Sequence, residues 1–195
     1  MRIYLIRHGE TEGDVEDRYG GDYDDHLTDR GKEQAKELAK KLEGKGVEII
    51  YHSPRIRAVE TAKIVGKKLG VKLQAIDNIR ERNNYGILTG MVKSEAKKKF
   101  PKEVEKLEKI QLYHKVKSSE DYEHFKRRVV KAFEIMVNND QYNVIAIISH
   151  GGPISCIVRD VLKRGEIKKL GDCGILEIER RGNKPELVKL DNVFF

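Results

Sequence analysis

Two histidines close apolar runs: His8 ends MRIYLIRH, and His150 ends VIAIISH. Arginines accompany them, with Arg7 beside His8, Arg57 in SPRIR, and Arg80 and Arg82 flanking Glu81. Histidine can serve as nucleophile, general base, metal ligand or hydrogen-bonded structural group. Fixed guanidinium charges repel a divalent cation, so no metal is expected at this set. They suit the oxygens of a phosphate or carboxylate, which their planar forks can grip in pairs. Beside an anion, His8 makes sense as an attacking imidazole, because neighbouring arginines lower its pKa and populate the neutral form. One ring nitrogen would donate to a backbone carbonyl while the other attacks phosphorus in line with the leaving oxygen. Glu81 is the natural proton donor, since a dianionic phosphate raises a carboxyl pKa; it would later act as base for water.

Residues so far apart in sequence need a scaffold that gathers them. Strand and helix signals alternate, which predicts an α/β fold. MRIYLI reads as the first strand, followed by a polar loop through residue 27. Thr28 caps a helix whose apolar face is Ala35, Leu38, Ala39 and Leu42, stopped by Gly44 and Gly46. VEIIYH at 47–52 is the second strand, with Ser53 as cap and Pro54 at the first helical position of the next helix, which shows Ala58, Ala62, Val65 and Leu69 and ends at Gly70. VKLQAI from Val71 is a third strand, and residues 91–117 are helical in composition but broken by Pro101. Ser118 or Ser119 caps a helix with Tyr122, Phe125, Val129, Phe133 and Met136 inward. VIAIIS is a central buried strand, leading through His150 into a helix from about Ile154 to Lys163. GILEIER, a turn at Gly182 and Asn183, and ELVKL form an antiparallel edge hairpin. The expected architecture is a three-layer α/β/α sandwich with a mostly parallel sheet, formed by residues 1–195 as one domain. In such sheets ligands bind beyond the carboxyl ends of the parallel strands. Those ends carry Arg7 and His8, then Ser53 to Arg57, then Arg80 to Arg82, then His150.

Composition narrows the partners. Among 195 residues, 36% are charged and the net charge is +7, but lysines and glutamates intermingle on helices such as KEQAKELAKKLEGK, as on solvated faces. A nucleic-acid stripe would be more one-sided, so no nucleic acid is expected, while a basic protein steers anionic small molecules inward. Apolar runs are too short to span a bilayer and the start lacks a signal-peptide layout, so no membrane partner and a cytoplasmic location are expected. The charge-rich, Trp-free composition is one reported for thermophile proteins. Cys156 and Cys173 have neither metal-type spacing nor a CxxC partner, and read as two buried thiols.

The ordered segments IRHGETEGD, DRYGGDYDDHLTDRGKEQA, SPRIRAVETA, ERNNYGILTG and ISHGGPI resemble the motifs of the histidine phosphatase superfamily, the phosphoglycerate-mutase-like fold. The resemblance spans nearly the whole chain. It implies that His8 is phosphorylated during turnover, that Arg7, Arg57 and His150 hold the transferred phosphoryl group, and that Glu81 is the acid. It places Thr11 near the phosphate, adds the Gly151 N–H as a donor, and sets Gly20 and Gly21 where substrate approaches the backbone. Asp14 stands where the family commonly has asparagine, so an acid lies near the phosphate positions. One extra residue separates Glu81 from Gly86, which predicts a bulge with Arg82 as an electrostatic contact only. Arg55 reads as a solvated charge at a helix start.

The superfamily contains phosphate-ester hydrolases and mutases that return the phosphoryl group to substrate. YGILTGMVKSEA resembles the mutase branch, with Tyr85 and Lys93 on mutase substrate-binding positions. The segment LYHKVKSSE, however, is short and lacks the paired arginine with which mutases grip a substrate carboxylate. A phosphatase acting on a small phosphate ester without a cofactor is therefore the preferred reading. The alternative is a mutase interconverting 3- and 2-phosphoglycerate, primed by 2,3-bisphosphoglycerate. A non-catalytic phosphate-binding module fits poorly, because nucleophile, acid and arginines are all present. A homodimer is allowed for.

Overall fold

The computed structural model describes residues 1–109, 116–182 and 184–195. Residues 110–115, which hold the LYHK of the short segment, and Asn183 of the hairpin turn lie outside them. In chain order the elements are β1 (Arg2–Arg7), α1 (Glu12–Val15), α2 (Asp29–Leu42), β2 (Ile49–His52), α3 (Ile56–Leu69), β3 (Lys72–Ala75), α4 (Lys93–Lys99), α5 (Pro101–Lys109), α6 (Tyr122–Val137), β4 (Val144–Ser149), α7 (Gly151–Cys156), β5 (Lys169–Arg181) and β6 (Lys184–Phe194). Single 3₁₀ turns occupy Asp77–Ile79 and Gly86–Leu88, and a π turn, Ile157–Val161, follows α7 directly.

Strand alternation sorts the core into two layers. From β1, Ile3 and Leu5 face one side of the sheet with Ile49, Tyr51, Ile145 and Ile147, under Phe125, Val129, Phe133 and Met136 of α6. Tyr4 and Ile6 face the other with Ile50, Ala146 and Ile148, under Leu38 and Leu42 of α2 and Ala58, Ala62 and Val65 of α3. The period of two in the strands and of 3.6 in the helices thus yields helices on both faces, the expected three-layer α/β/α arrangement. The six strands run β3-β2-β4-β1-β5-β6. β1, β2, β3 and β4 are mutually parallel, while β5 pairs antiparallel with β1 and β6. The hairpin forms one edge as expected, though its strands are longer than GILEIER and ELVKL. Leu88, Ala96, Val104 and Val116 make a small separate core in which α4 and α5 pack.

Several local expectations are corrected. Arg55, not Ser53, stands at the N-cap of α3, so Pro54 precedes the helix and is not its first residue; the buried Ser53 Oγ accepts the Arg55 N–H (3.3 Å). Asp121, whose carboxylate accepts from the Glu123 and His124 N–H groups, caps α6 in place of Ser118 or Ser119. The helix after His150 starts at Gly151, three residues before Ile154, and turns to π geometry at Ile157. The loop before residue 27 contains α1, with Thr11 as its cap. Cys156 and Cys173 are buried and free, as read.

The segment after His8 is fastened to the start of α2 by backbone proximity. Thr28 N–H donates to the Glu10 carbonyl (3.1 Å) and Thr28 Oγ1 to the Glu10 carboxylate (2.8 Å). A Cβ on Gly31 would stand 2.1 Å from the Glu10 carbonyl oxygen, and one on Gly9 would stand 2.6 Å from that of Gly31. Gly66 in α3 differs: its Cβ would meet only the end of the Leu73 side chain, at 2.6 Å. Alanine is the better helix former at both helical positions, by about 1 kcal/mol. We expect Gly31→Ala nevertheless to cost about 1–3 kcal/mol, because backbone must move, and Gly66→Ala to be close to neutral. Urea midpoints of the two variants check this; equal shifts would show that the Gly31 contact does not constrain the segment after His8.

Candidate active site

The carboxyl ends of β1 and β4 place His8 and His150 side by side, ring centroids 5.1 Å apart. They are neighbours because β1 pairs in parallel with β4, Arg7 opposite Ser149. Both rings are buried. Arg57, in the first turn of α3, lies between them, and its Nε–H reaches His8 Nε2 and His150 Nδ1, each at 3.2 Å. An arginine can only donate, so those two ring nitrogens are acceptors. The remaining nitrogens then carry the protons: His8 Nδ1–H donates to the Gly9 carbonyl (2.8 Å) and His150 Nε2–H to Ser53 Oγ (2.7 Å). His8 therefore presents a lone pair on Nε2 toward the arginine.

Electrostatics keep both rings neutral. Burial, then Arg57, then Arg7 hold His8 well below the ordinary imidazole range, outweighing the hydrogen bond to Gly9. His150 is lowered by burial, Arg57, His8, Arg7 and Arg55 in that order. The buried Arg57 charge is itself balanced by Asp25, at 2.8 Å from Nη1, and by the carbonyls of Tyr23 (2.6 Å) and Gly21 (2.9 Å). Arg7 turns toward Asp172 (3.3 Å), the Leu170 carbonyl (2.8 Å) and, more distantly, Asp14 (3.6 Å).

Glu81 lines a cleft of about 380 Å³ together with Gly20, Gly21, Arg82, Tyr85 and Gly152. Its carboxylate accepts the N–H of Arg82 (2.7 Å) and of Gly152 (3.1 Å), the residue after Gly151 at the start of α7. A Cβ on Gly152 would stand 2.2 Å from Glu81 Oε1. The Glu81 segment is pinned from behind by the buried Arg128 of α6. That guanidinium donates to the carbonyls of Asn78 (2.8 Å), Arg80 (3.0 Å) and Glu81 (3.1 Å), with Glu120 as its carboxylate partner at 2.7 and 2.8 Å.

Other anticipated residues are engaged locally. Thr11 and Asp14 form a reciprocal cap on α1: Thr11 Oγ1 accepts from Asp14 N–H (3.1 Å), and the Asp14 carboxylate accepts from Thr11 N–H (3.1 Å) and Oγ1 (3.0 Å). This turns the Asp14 charge back on the chain. Lys93 pairs with Asp17 and does not line the cleft, whereas Tyr85 lines it and packs on Tyr19. Gly21 has φ +107, a conformation that favours glycine, while a Cβ on Gly20 would meet nothing. Arg55 is not a solvated charge: it binds Asp22 (2.6 Å) and Asp24 (3.3 Å), and Arg80 holds Asp22 from the other side (3.1 Å). Sequence reasoning missed Asp22, Asp25, Ser53, Arg128 and Asp172. The run GGDYDD, an acidic cluster amid arginine-bearing segments, carried the signal for the first two. Among the described residues no three His, Cys, Asp or Glu side chains converge as a metal set.

Comparison with known proteins agrees with this geometry. The family model of the histidine phosphatase superfamily (branch 1) matches residues 3–193. A Hydrogenobacter thermophilus protein named "Putative phosphoserine phosphatase 2" is 30% identical over 203 residues, covering 98% of this chain and 96% of its own. Phosphoserine phosphatase 1 of the same organism is 31% identical over 157 residues, covering 79% and 72%. The crystal structure of the α-ribazole phosphatase from Shigella flexneri superposes with a TM-score of 0.85 at 22% identity, covering 100% of this chain and 98% of that one, and shares the fold. The chain belongs to the histidine phosphatase superfamily, branch 1.

The depressed imidazoles set a pH dependence. In phosphate-free buffer both rings stay neutral in the folded protein while the unfolded chain protonates them near the ordinary value of about 6.5. Stability is therefore retained above that pH and falls as pH drops below it, with these rings contributing a slope of up to about two protons. Replacing His150 with Asn should flatten the slope by about one. Urea unfolding from pH 7.5 to 5, with imidazole NMR, checks this; a His8 resonance titrating near 6.5 would contradict it.

Proposed function

We propose that this superfamily member, acting through residues 1–195 as one catalytic domain, hydrolyses a small phosphate monoester by way of a phosphohistidine on His8. The observation that carries the reading is the tautomer of His8: Nδ1–H is committed to the Gly9 carbonyl and the Nε2 lone pair is exposed to the site's cation. A neutral imidazole so oriented is a nucleophile that needs no prior deprotonation.

Nε2 attacks phosphorus in line with the ester oxygen, and the N–P bond forms as the P–O bond breaks. The Arg57 Nε–H passes from the imidazoles to a non-bridging oxygen and Arg7 serves another; His150 serves the third from Nδ1 once its proton moves there, with the Ser53 hydroxyl then donating to Nε2. Charge reorganised in the transition state thus meets donors already in place. Glu81, protonated once the dianion is bound, gives its proton to the departing alkoxide. It then takes a proton from the water that attacks the phosphohistidine, and inorganic phosphate leaves with His8 neutral again.

Hydrolysis is favoured over mutase chemistry by two observations. Lys93, on a mutase substrate position, is occupied by Asp17 away from the cleft. The curated relatives at 30% and 31% identity are named phosphoserine phosphatases, which makes O-phosphoserine the first substrate to test.

Quenched turnover should give a phosphoenzyme labile to acid and stable to base, absent in His8→Ala; an adduct surviving that substitution would exclude His8 as its site. Incubation with 3-phosphoglycerate should release phosphate and glycerate without a bisphosphate primer. Stoichiometric 2-phosphoglycerate would establish the mutase instead. Gly152→Ala, which displaces the Glu81 carboxylate, should slow alkyl esters by about 100-fold or more and activated aryl phosphates much less, because aryl oxide leaves without a proton. Equal losses on both would remove Glu81 from the acid role.

A further inference from the structure

Deepening the phosphatase reading, on which it rests, we propose that Arg82 and Arg159 form a clamp for a carboxylate on the alcohol half of the substrate. Both guanidinium-bearing residues line the cleft that holds Glu81, together with Tyr122, Phe125 and Ser155. They thus lie on the side where the leaving group must sit if Glu81 protonates its oxygen.

Arg82 is a half-buried cation with incomplete neutralisation. Its Cζ lies 5.2 Å from the Tyr122 ring centroid and 5.8 Å from that of Phe125. Among the described residues its guanidinium donates only to the Glu120 carbonyl, from Nε (3.3 Å) and Nη2 (3.0 Å). The acids around it are engaged elsewhere: Glu81 on backbone N–H groups, Glu120 on Arg128, and Asp121 on the first turn of α6. Burial lowers the Arg82 pKa despite those acids, and the Arg159 charge lowers it further. Two like charges in one cleft favour an anion between them.

Arg159 reaches the cleft through an irregularity of its helix. The stretch Ile157–Val161 is a π turn, closed by Leu162 N–H to the Ile157 carbonyl (2.9 Å). One inserted residue rotates a helix face by ~100°, and here Arg159 comes to lie over the same Tyr122 ring as Arg82, Cζ at 5.0 Å. Asp160 holds its Nε (3.2 Å) and Nη2 (3.1 Å), Nη2 also donates to the Tyr122 hydroxyl, and Nη1 pairs with Glu166 (3.0 Å); Glu166 is 64% exposed, so that last pair is screened and weak and Nη1 is the donor open to exchange for a ligand carboxylate. Tyr122, bonded to Asp160 (2.6 Å), fixes the ring that both arginines share. The clamp sits on a 3₁₀-flanked loop and a π turn, elements distinct from the segment where the sequence lacks an arginine pair.

The test compares O-phosphoserine with O-phosphoethanolamine, which differ by the carboxylate. The wild-type protein should favour phosphoserine in kcat/KM, and Arg82→Gln should lower that preference roughly 30–100-fold, mainly through KM, as for loss of a charge-assisted pair. Arg159→Gln should lower it in the same direction by a smaller factor, and Arg82→Lys should recover part of it. Absence of a wild-type preference, or equal losses on both esters in Arg82→Gln and Arg159→Gln, would overturn the clamp. Calorimetry on His8→Ala with the same two ligands separates this from the catalytic proposal. Discrimination in binding without turnover in the wild type would sustain the clamp and sink the phosphatase; turnover with no discrimination in either assay would do the opposite.

Discussion

A single buried guanidinium organises the site. Arg57 is 4% exposed, and its donors reach both imidazoles, Asp25, and the carbonyls of Gly21 and Tyr23. A charge so far from water is tolerable only with a carboxylate partner and nearly complete hydrogen bonding. Meeting that requirement forces three chain segments together: the end of β1, the end of β4 and the loop around residues 21–25. The same contact decides which ring nitrogens accept, and so which nitrogen of His8 keeps its lone pair. Folding energetics and chemical orientation therefore rest on one set of distances.

Arg128 plays a parallel part for Glu81. Glu81 sits on irregular backbone with free carbonyls, which would be costly to bury unpaired. Arg128 gathers three of those carbonyls from α6, and Glu120 neutralises it. His8 is thus carried by the sheet, whereas Glu81 is carried by a loop stapled to a helix. The proposed chemistry would draw on two independently braced parts of the molecule.

Much of this was legible in the sequence for identifiable reasons. Ile3 to Ile6 alternate between two cores, and Ala35, Leu38 and Leu42 repeat at helical spacing, so the layers followed from periodicity. His8 and His150 were legible because parallel strands deliver their carboxyl ends to one edge. Arg128 was not, since a lone arginine in YEHFKRRVV looks like any solvated helix charge until the carbonyls it meets are known. Ser53 read as a cap because Ser-Pro is a cap signal; its hydroxyl does accept the Arg55 N–H, but it also meets the His150 ring, distant in sequence, which no local signal announced. Asp14 looked misplaced beside a phosphate, yet it completes a reciprocal cap with Thr11 that spacing alone permitted. The π turn had no signature, because one inserted residue leaves composition unchanged.

The position of β1 in the sheet also bears on how the molecule is made. Its partners on either side are β4 and β5, Val144–Ser149 and Lys169–Arg181, so during synthesis β1 waits for strands that lie far behind it in the chain. Until they arrive, Ile3 to Ile6 are an apolar strand with both edges open, a template for pairing with other chains. The long sequence separation makes this a slow closure, and it is the step that brings His8 to His150. His8 and His150 thus stay apart in every nascent chain that has not yet emerged through β4, and chaperone contact during synthesis has an obvious target in the unpaired β1 strand.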